Sequence, residues 1–505
     1  MTRAEKRYFK LHSGRHLSDG ERKYHKLFDA IAAADVYDEA VILERFRTEA
    51  FTHRFAITKR RLYETVLDSL DAFHAEHSVD ARMGRMLHQV QLLYNKALYD
   101  DASKLLHGVA KLARNHDRQP VLMAVLEWER RLAERDNYAH VDQPHLEQLA
   151  AKSLALHAEV QELDGLWDLK STLFMTLYRK GQVRDTRMQE ELNTLLADHL
   201  TKDPSEALTE KARFLFHHIR SAAAYAKGDL HACKVELEAN LALLEAQRER
   251  FLHEPNLVLS VLSNLAFVNV ALGQFTEAFQ HLKAFRNTPG EWDMAETEDL
   301  DLKLFSTSYS LELGIHTRMG RIDLALELLP AVERGLQRYG DQLGPVRKAG
   351  FLYQLGYVNF LSGRTEEALR WTNRLLDGLR NDDSSDLAAA GRTLYLALLL
   401  DADKKDLLVY ALRNTERYLQ SRDRMHRFEP IYMTLLRTSV RARNITEQRA
   451  AFITFRDALL PLANDPLERA VFDQFDAIAW AESHISGRPL AEVYQERATQ
   501  GKQAA

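Results

Sequence analysis

The clearest indication of the fold comes from residues Leu265–Leu282, LAFVNVALGQFTEAFQHL. It reads as one helix that stops at Gly273 and a second helix that follows, with Phe275 two residues and Ala278 five residues after the glycine. Glycine tolerates the left-handed backbone that ends many helices, and a small residue allows the next helix to pack closely. The stretch therefore predicts a helical hairpin with its turn at Gly273.

The same arrangement recurs along the chain. Further glycines end helix-like segments 43 to 47 residues apart, at Gly181, Gly228, Gly320 and Gly363. Weaker copies are centred near Ala97, Asn137, Asp403 and Asn444. A fixed period of this length is typical of stacked hairpins, so we expect an all-α α-solenoid of about nine or ten units.

Prolines support this reading and also interrupt it. Pro120, Pro255 and Pro345 stand where first helices would begin, a position at which proline costs no hydrogen bond. Pro330 and Pro461 fall inside apparent helices, and we expect a kink or a break at each. The polar run at 381–386 is the best loop candidate in the second half.

Composition narrows the class of protein. The 505 residues include only 21 glycines and 11 prolines, with 46% hydrophobic and 28% charged residues, which favours a helical globular chain over a disordered one. The net charge of −5 makes nucleic acid an unlikely partner, although the first 26 residues are basic. A single cysteine, Cys233, forms no internal disulfide, and no apolar run is long enough for a membrane span, so we expect a cytoplasmic protein without membrane contact.

The residues Leu265, Ala266, Gly273, Phe275 and Ala278 resemble the pattern of the tetratricopeptide repeat. The spacing exceeds the roughly 34 residues of that motif, which implies longer helices, and HEAT-like or armadillo-like packing has a similar period and stays open. On this basis the chain divides into an N-terminal capping region at 1–80, repeats at 81–390 and degenerate repeats with a cap at 391–505.

In proteins of this family the first helix of each hairpin lines a concave face that holds peptides or helices of partner proteins. Residues at fixed offsets before each glycine share that helix face. The expected binding residues on it are Tyr178, Arg179, His218, Tyr225, Asn264, Phe267, Arg318, Tyr353, Gln354 and Tyr357. Only Asn264 matches the lysine and asparagine set with which some members grip a terminal carboxylate, so that mode of binding is not favoured.

Two functions follow as hypotheses. The first is a non-catalytic scaffold or adaptor that binds a protein or peptide partner in an open groove. The second is a regulatory sensor that binds a small peptide or metabolite in a deep, closed pocket with convergent polar groups and signals through the N-terminal region.

No catalytic or cofactor motif appears in the sequence, and we expect neither an enzyme nor a cofactor. A metal-dependent enzyme built on His74 and His77 is the weakest alternative, because no third ligand is recognisable. The oligomeric state cannot be read from the sequence.

Overall fold

A computed structural model describes residues 1–14, 22–34, 37–75, 78–197, 202–379 and 386–504. Within these ranges the regular structure is helical throughout, as predicted. Contacts divide the chain into two units, Met1–Leu156 and His157–Ala505. The three predicted segments, which rest on the strength of the repeat signal, stay predictions.

In its described residues the unit Met1–Leu156 contains seven α-helices and the start of an eighth, and its first helices enclose a small core around Phe9, Leu27 and Phe55. Its helices are α1 (Arg3–Gly14), α2 (Arg22–Ala32), α3 (Glu39–Arg45), α4 (Phe55–His74), α5 (Val79–Asn95), α6 (Tyr99–Asn115), α7 (Gln119–Ala133) and α8 (Gln143–Lys180), of which α8 continues into the second unit.

The unit His157–Ala505 consists largely of helices that pack against their neighbours in sequence order. They are α9 (Thr186–Leu196), α10 (Glu210–Ala226), α11 (Leu230–Ala246), α12 (Arg248–Phe251), α13 (Asn256–Ala271), α14 (Phe275–Glu291), α15 (Glu298–Arg318), α16 (Ile322–Tyr339), α17 (Pro345–Leu361), α18 (Thr365–Gly378), α19 (Asp386–Asp401), α20 (Lys405–Gln420), α21 (Phe428–Arg441), α22 (Ile445–Leu459), α23 (Arg469–Gln474), α24 (Ala477–Ser486) and α25 (Leu490–Ala504).

From α10 to α22 the helices form successive hairpins, which is the stacked arrangement predicted from the repeat. The paired helices are α10 and α11, α13 and α14, α15 and α16, α17 and α18, α19 and α20, and α21 and α22. Most are 16 to 18 residues long, as the long repeat period requires.

The five repeat glycines end helices in the left-handed conformation, with φ between 72° and 77°. The weaker copies use the same backbone without glycine, at Ala97, Asn137 and Asp403. Asn444 differs, because it has an extended backbone and its side chain caps the start of α22. The turn positions are therefore correctly predicted, and the left-handed turn recurs at all of them except Asn444.

Small residues five positions after four of the five repeat glycines allow the paired helices to pack closely, whereas Thr186 in the Gly181 unit is exposed. Ala278, Ala325 and Ala368 are fully buried, and Cys233 is nearly so. In the first helices, the buried Asn269 and the equivalent Asn359 each donate a hydrogen bond to the carbonyl four residues earlier, at 2.8 Å. The repeat thus extends to the polar groups of the core.

Four of the five prolines singled out in the sequence analysis lie at the ends of helices, as predicted. Pro120 lies in the first turn of α7, Pro255 caps α13 and Pro345 begins α17. Helix α22 ends at Leu459, just before Pro461.

Helix α16 runs through Pro330 without a break, so the kink, the other outcome expected there, stays a prediction. The buried neighbours Leu329 and Val332 hold that helix against the core. Of the predicted loop, 381–385 lie outside the described residues, and Asp386 already begins α19.

Candidate functional site

Six of the ten predicted binding residues line one cavity of about 490 Å³, which we call the tyrosine cavity. They project from α10, α13, α15 and α17, the first helices of four successive hairpins. This convergence is what a shared offset from each repeat glycine produces. The six residues are Tyr225, Phe267, Arg318, Tyr353, Gln354 and Tyr357.

A second cavity of about 320 Å³ adjoins the first and is called here the histidine cavity. Tyr178, His218 and Asn264 line it, and it shares Tyr225 and Phe267 with the tyrosine cavity. Nine of the predicted residues therefore line two adjoining cavities. The tenth, Arg179, lines neither cavity.

One wall of the tyrosine cavity comes from the C-terminal segment, which we define as residues 462–504. The hydroxyl of Tyr353 donates to the backbone carbonyl of Gln474 at 2.7 Å, and the backbone N–H of Asp476 donates to the hydroxyl of Tyr357 at 3.1 Å. Both tyrosines are consequently only 8% exposed. The face predicted for binding is thus partly enclosed by the protein's own chain.

The two long walls differ in chemistry. The repeat helices contribute an apolar wall with Val270, Ala271, Leu311 and Gly314. A Cβ built on Gly314 would have no atom within 4 Å, so this glycine faces open space. The C-terminal segment contributes a polar wall, on which Asn464, Arg469, Asp473 and Gln474 lie.

Most of the charged groups around the tyrosine cavity are neutralised in pairs. Arg318 bonds Asp473 at 2.5 Å, and Asp386 is bonded by Arg424 at 2.5 Å. Arg469 is different, because its side chain makes no hydrogen bond or ion pair with any residue in the described ranges. It is also exposed, so its positive charge is available at the cavity wall.

Two polar atoms in the cavities have no partner among the described residues. Gln354 donates through Nε2 to the carbonyl of Ser310 at 2.9 Å, while its Oε1 is buried without a donor. His218 is stacked between the rings of Phe174 and Phe214, and its Nδ1 is buried without a partner. Such groups favour a ligand that supplies the missing hydrogen bonds.

Burial keeps the histidine and the buried tyrosines of the site uncharged. It lowers the pKa of His218 to about 4, with a contribution from the charge of Lys170. Burial also raises the pKa of Tyr353 and Tyr357 well above its ordinary value, and that of Tyr494 to about 12. At neutral pH the cavities therefore present a neutral imidazole and neutral hydroxyls.

An ionic cluster joins the beginning of the unit to its far end, beside the cavities. Arg184, which follows α8, bonds Glu429 of α21 and Glu468 of the C-terminal segment, each at 2.6 Å. Gly181 lies close by, and a Cβ there would stand 1.8 Å from a carboxylate oxygen of Asp386. This close approach brings α8 and α19 together at the mouth of the histidine cavity.

The other candidate sites have a structural role or stay predictions. His74 bonds Glu5 through Nε2 at 2.8 Å, and His77 lies outside the described residues. No group of three or more metal-ligating side chains occurs in the part of the chain that the structure describes. Burial raises the pKa of the Cys233 thiol to about 12, so it has the character of a packing residue.

Sequence reasoning missed every lining residue outside the repeat pattern. These residues are Gln182, Asp386, Asn464, Pro466, Arg469, Ala470, Asp473, Gln474 and Tyr494. The only local signal is the spacing of Arg469 and Asp473 on one side of a short helix, which many surface helices share.

Comparison with known proteins gives no relative for this chain. No family model matches it, and no curated protein does. None of the helices in the described ranges is both long and apolar enough to cross a membrane.

Proposed function

We propose that residues 157–505 form a sensor unit that takes a short peptide or a metabolite into the tyrosine cavity. The observation that carries the proposal is that nine predicted binding residues line two adjoining cavities and that the C-terminal segment forms one wall of the tyrosine cavity. A scaffold that docks large partners needs an open groove at these positions, whereas a sensor needs a bounded pocket with convergent polar groups.

The size and lining of the cavity support a small ligand. A volume of about 490 Å³ lies within the range of roughly 300 to 1,000 Å³ that small-molecule pockets occupy. The apolar wall offers contact area, and the unpaired Oε1 of Gln354 is an acceptor for an N–H group such as that of a peptide bond.

The position of the walls suggests how binding is signalled. A ligand in the cavity contacts the repeat helices and the C-terminal segment together, so it stabilises the arrangement in which the two are closed on each other. A ligand shifts a conformational equilibrium only by binding one state better than the other, and a site with two separable walls provides that difference. We propose that this shift is what reaches the N-terminal region.

Gly314 provides the test. The protein and its Gly314→Ala and Gly314→Phe variants are dialysed against a pool of random tetrapeptides and against a metabolite extract, and retained compounds are identified by mass spectrometry. Phe fills the cavity, whereas Ala adds one methyl group and improves helix propensity by about 1 kcal/mol. Compounds that are retained by the unaltered protein and by Gly314→Ala, but not by Gly314→Phe, support the proposal. If Gly314→Phe retains the same compounds as the unaltered protein, the proposal is overturned.

The scaffold function stays a second candidate because of one observation on α8. Trp167, Met175 and Tyr178 lie along one face of this helix and are 58%, 48% and 73% exposed. Large exposed apolar side chains on one face are typical of protein-binding surfaces. A Trp167→Ala/Tyr178→Ala variant that loses a protein partner, while Gly314→Phe keeps it, would favour docking on α8.

A further inference from the structure

We propose that the ligand of the tyrosine cavity is an amphipathic anion, whose negative group binds Arg469 and whose apolar part lies against the wall that contains Gly314. This inference rests on the proposed function, since it names the chemical class of the ligand for the same cavity. It is carried by the charges and by the shape of the two walls.

Four charged side chains line the cavity, two arginines and two aspartates. The carboxylates of Asp386 and Asp473 each have an arginine partner at 2.5 Å, and Arg318 is one of those partners. Arg469 remains without an ion pair among the described residues. The cavity therefore carries one uncompensated positive charge, and a single anionic group would complete its pairing.

The position of Arg469 gives the anion a defined place. Its helix, α23, places Arg469, Ala470 and Asp473 along one side, and all three line the cavity. The ion pair between Asp473 and Arg318 ties this helix to α15, which carries Leu311 and Gly314. A planar guanidinium held at a fixed wall suits a carboxylate, sulfate or phosphate group, to which it donates paired hydrogen bonds.

The opposite wall excludes a small inorganic anion as a complete ligand. Val270, Ala271, Leu311 and Gly314 offer no hydrogen-bond donor from their side chains. Because Gly314 faces open space, this wall leaves room for an aromatic or aliphatic group. An ion of a few atoms would leave that apolar surface in water, whereas an amphipathic anion covers both walls.

A matched pair of dyes tests the inference. Anilinonaphthalene sulfonate carries an apolar ring system and one negative charge, and phenylnaphthylamine has the same rings without the charge. Binding of each is followed by fluorescence titration with the full chain at two salt concentrations. The variants are Arg469→Gln, Gly314→Ala and Gly314→Phe, with Arg449→Gln as the control for charge, because Arg449 is exposed on α22 and lines neither cavity.

We expect Arg469→Gln to raise the Kd of the anionic dye by at least about tenfold, which corresponds to the loss of one charged hydrogen bond. The Kd of the neutral dye should change by less than about twofold. Arg449→Gln should change the Kd of neither dye, and Gly314→Phe should abolish the binding of both. Higher salt should weaken the binding of the anionic dye alone.

The outcomes separate this inference from the proposed function. If Gly314→Phe blocks both dyes but Arg469→Gln acts no more strongly than Arg449→Gln, the anionic class is overturned and the cavity stands. If both dyes bind Gly314→Phe as they bind the unaltered protein, the cavity is not the site and the proposed function fails. Unchanged helical circular dichroism in each variant excludes misfolding as the cause.

Discussion

Arg184 offers the sharpest test of how the unit 157–505 is held together. Its guanidinium is 12% exposed and lies between the carboxylates of Glu429 and Glu468, which are 7% and 1% exposed. The backbone N–H groups of Arg427 and Phe428 also donate to Glu468. The cluster therefore joins the segment after α8, the start of α21 and the C-terminal segment.

Replacing Arg184 by Met keeps most of the volume and removes the charge. Two buried carboxylates then remain without their cation, and breaking a buried pair in this way costs about 3–5 kcal/mol. We expect the free energy of unfolding to fall by this amount.

The assay is urea denaturation followed by tryptophan fluorescence, since four of the five tryptophans lie in this unit. Arg187→Met is the matched control. Arg187 pairs with Glu191 one turn away on the surface, with its side chain 78% exposed, so its loss should lower the free energy of unfolding far less than the loss of Arg184. Equal losses for the two variants would show that the buried cluster contributes no more than a surface ion pair and would refute the reasoning.

Two further predictions concern the turns and the buried histidine. Gly320→Ala and Gly273→Ala place an alanine in the same left-handed conformation, but of the two only the Cβ at Gly320 approaches α25, at 2.9 Å from the Cα of Gln495. Proteolysis within 490–504 should therefore accelerate for Gly320→Ala alone. Equal cleavage of the two variants would contradict this. The pKa of His218 is about 4 in the folded protein and about 6.5 in the unfolded chain, so only the unfolded state takes up a proton between these pH values. The free energy of unfolding relative to His218→Asn should therefore fall by about 3 kcal/mol as the pH drops from 6.5 to 4 and stay level below 4. A difference between the two proteins that does not change with pH in urea titrations would contradict the lowered pKa of His218.

The hairpins were predictable because their signals are local. A glycine such as Gly273, an alanine five residues later and a proline such as Pro255 act within one or two helical turns, and each appears in the structure at its expected place. The register of the first helices follows from the turn, which is why Phe267 and Tyr357 could be assigned to a shared face.

The enclosure of that face was not predictable, because it depends on contacts between distant parts of the chain. Tyr353 looks like an open binding residue in the sequence, yet its hydroxyl is held by Gln474, more than a hundred positions away. The residues that provide this wall belong to no repeat, so no period reveals them. The same limit applies to Arg184, whose two carboxylate partners have no pattern that connects them to it.

The wall supplied by the C-terminal segment has a consequence for biosynthesis. Residues from Gln182 to Tyr494 surround the cavity, so its last side cannot exist before the ribosome has passed Tyr494. Hairpins can form one after another as they emerge, but these final contacts are distant in sequence and must close late. A nascent chain that lacks the C-terminal segment therefore has no finished tyrosine cavity, and the cavity forms only after that segment has left the ribosome.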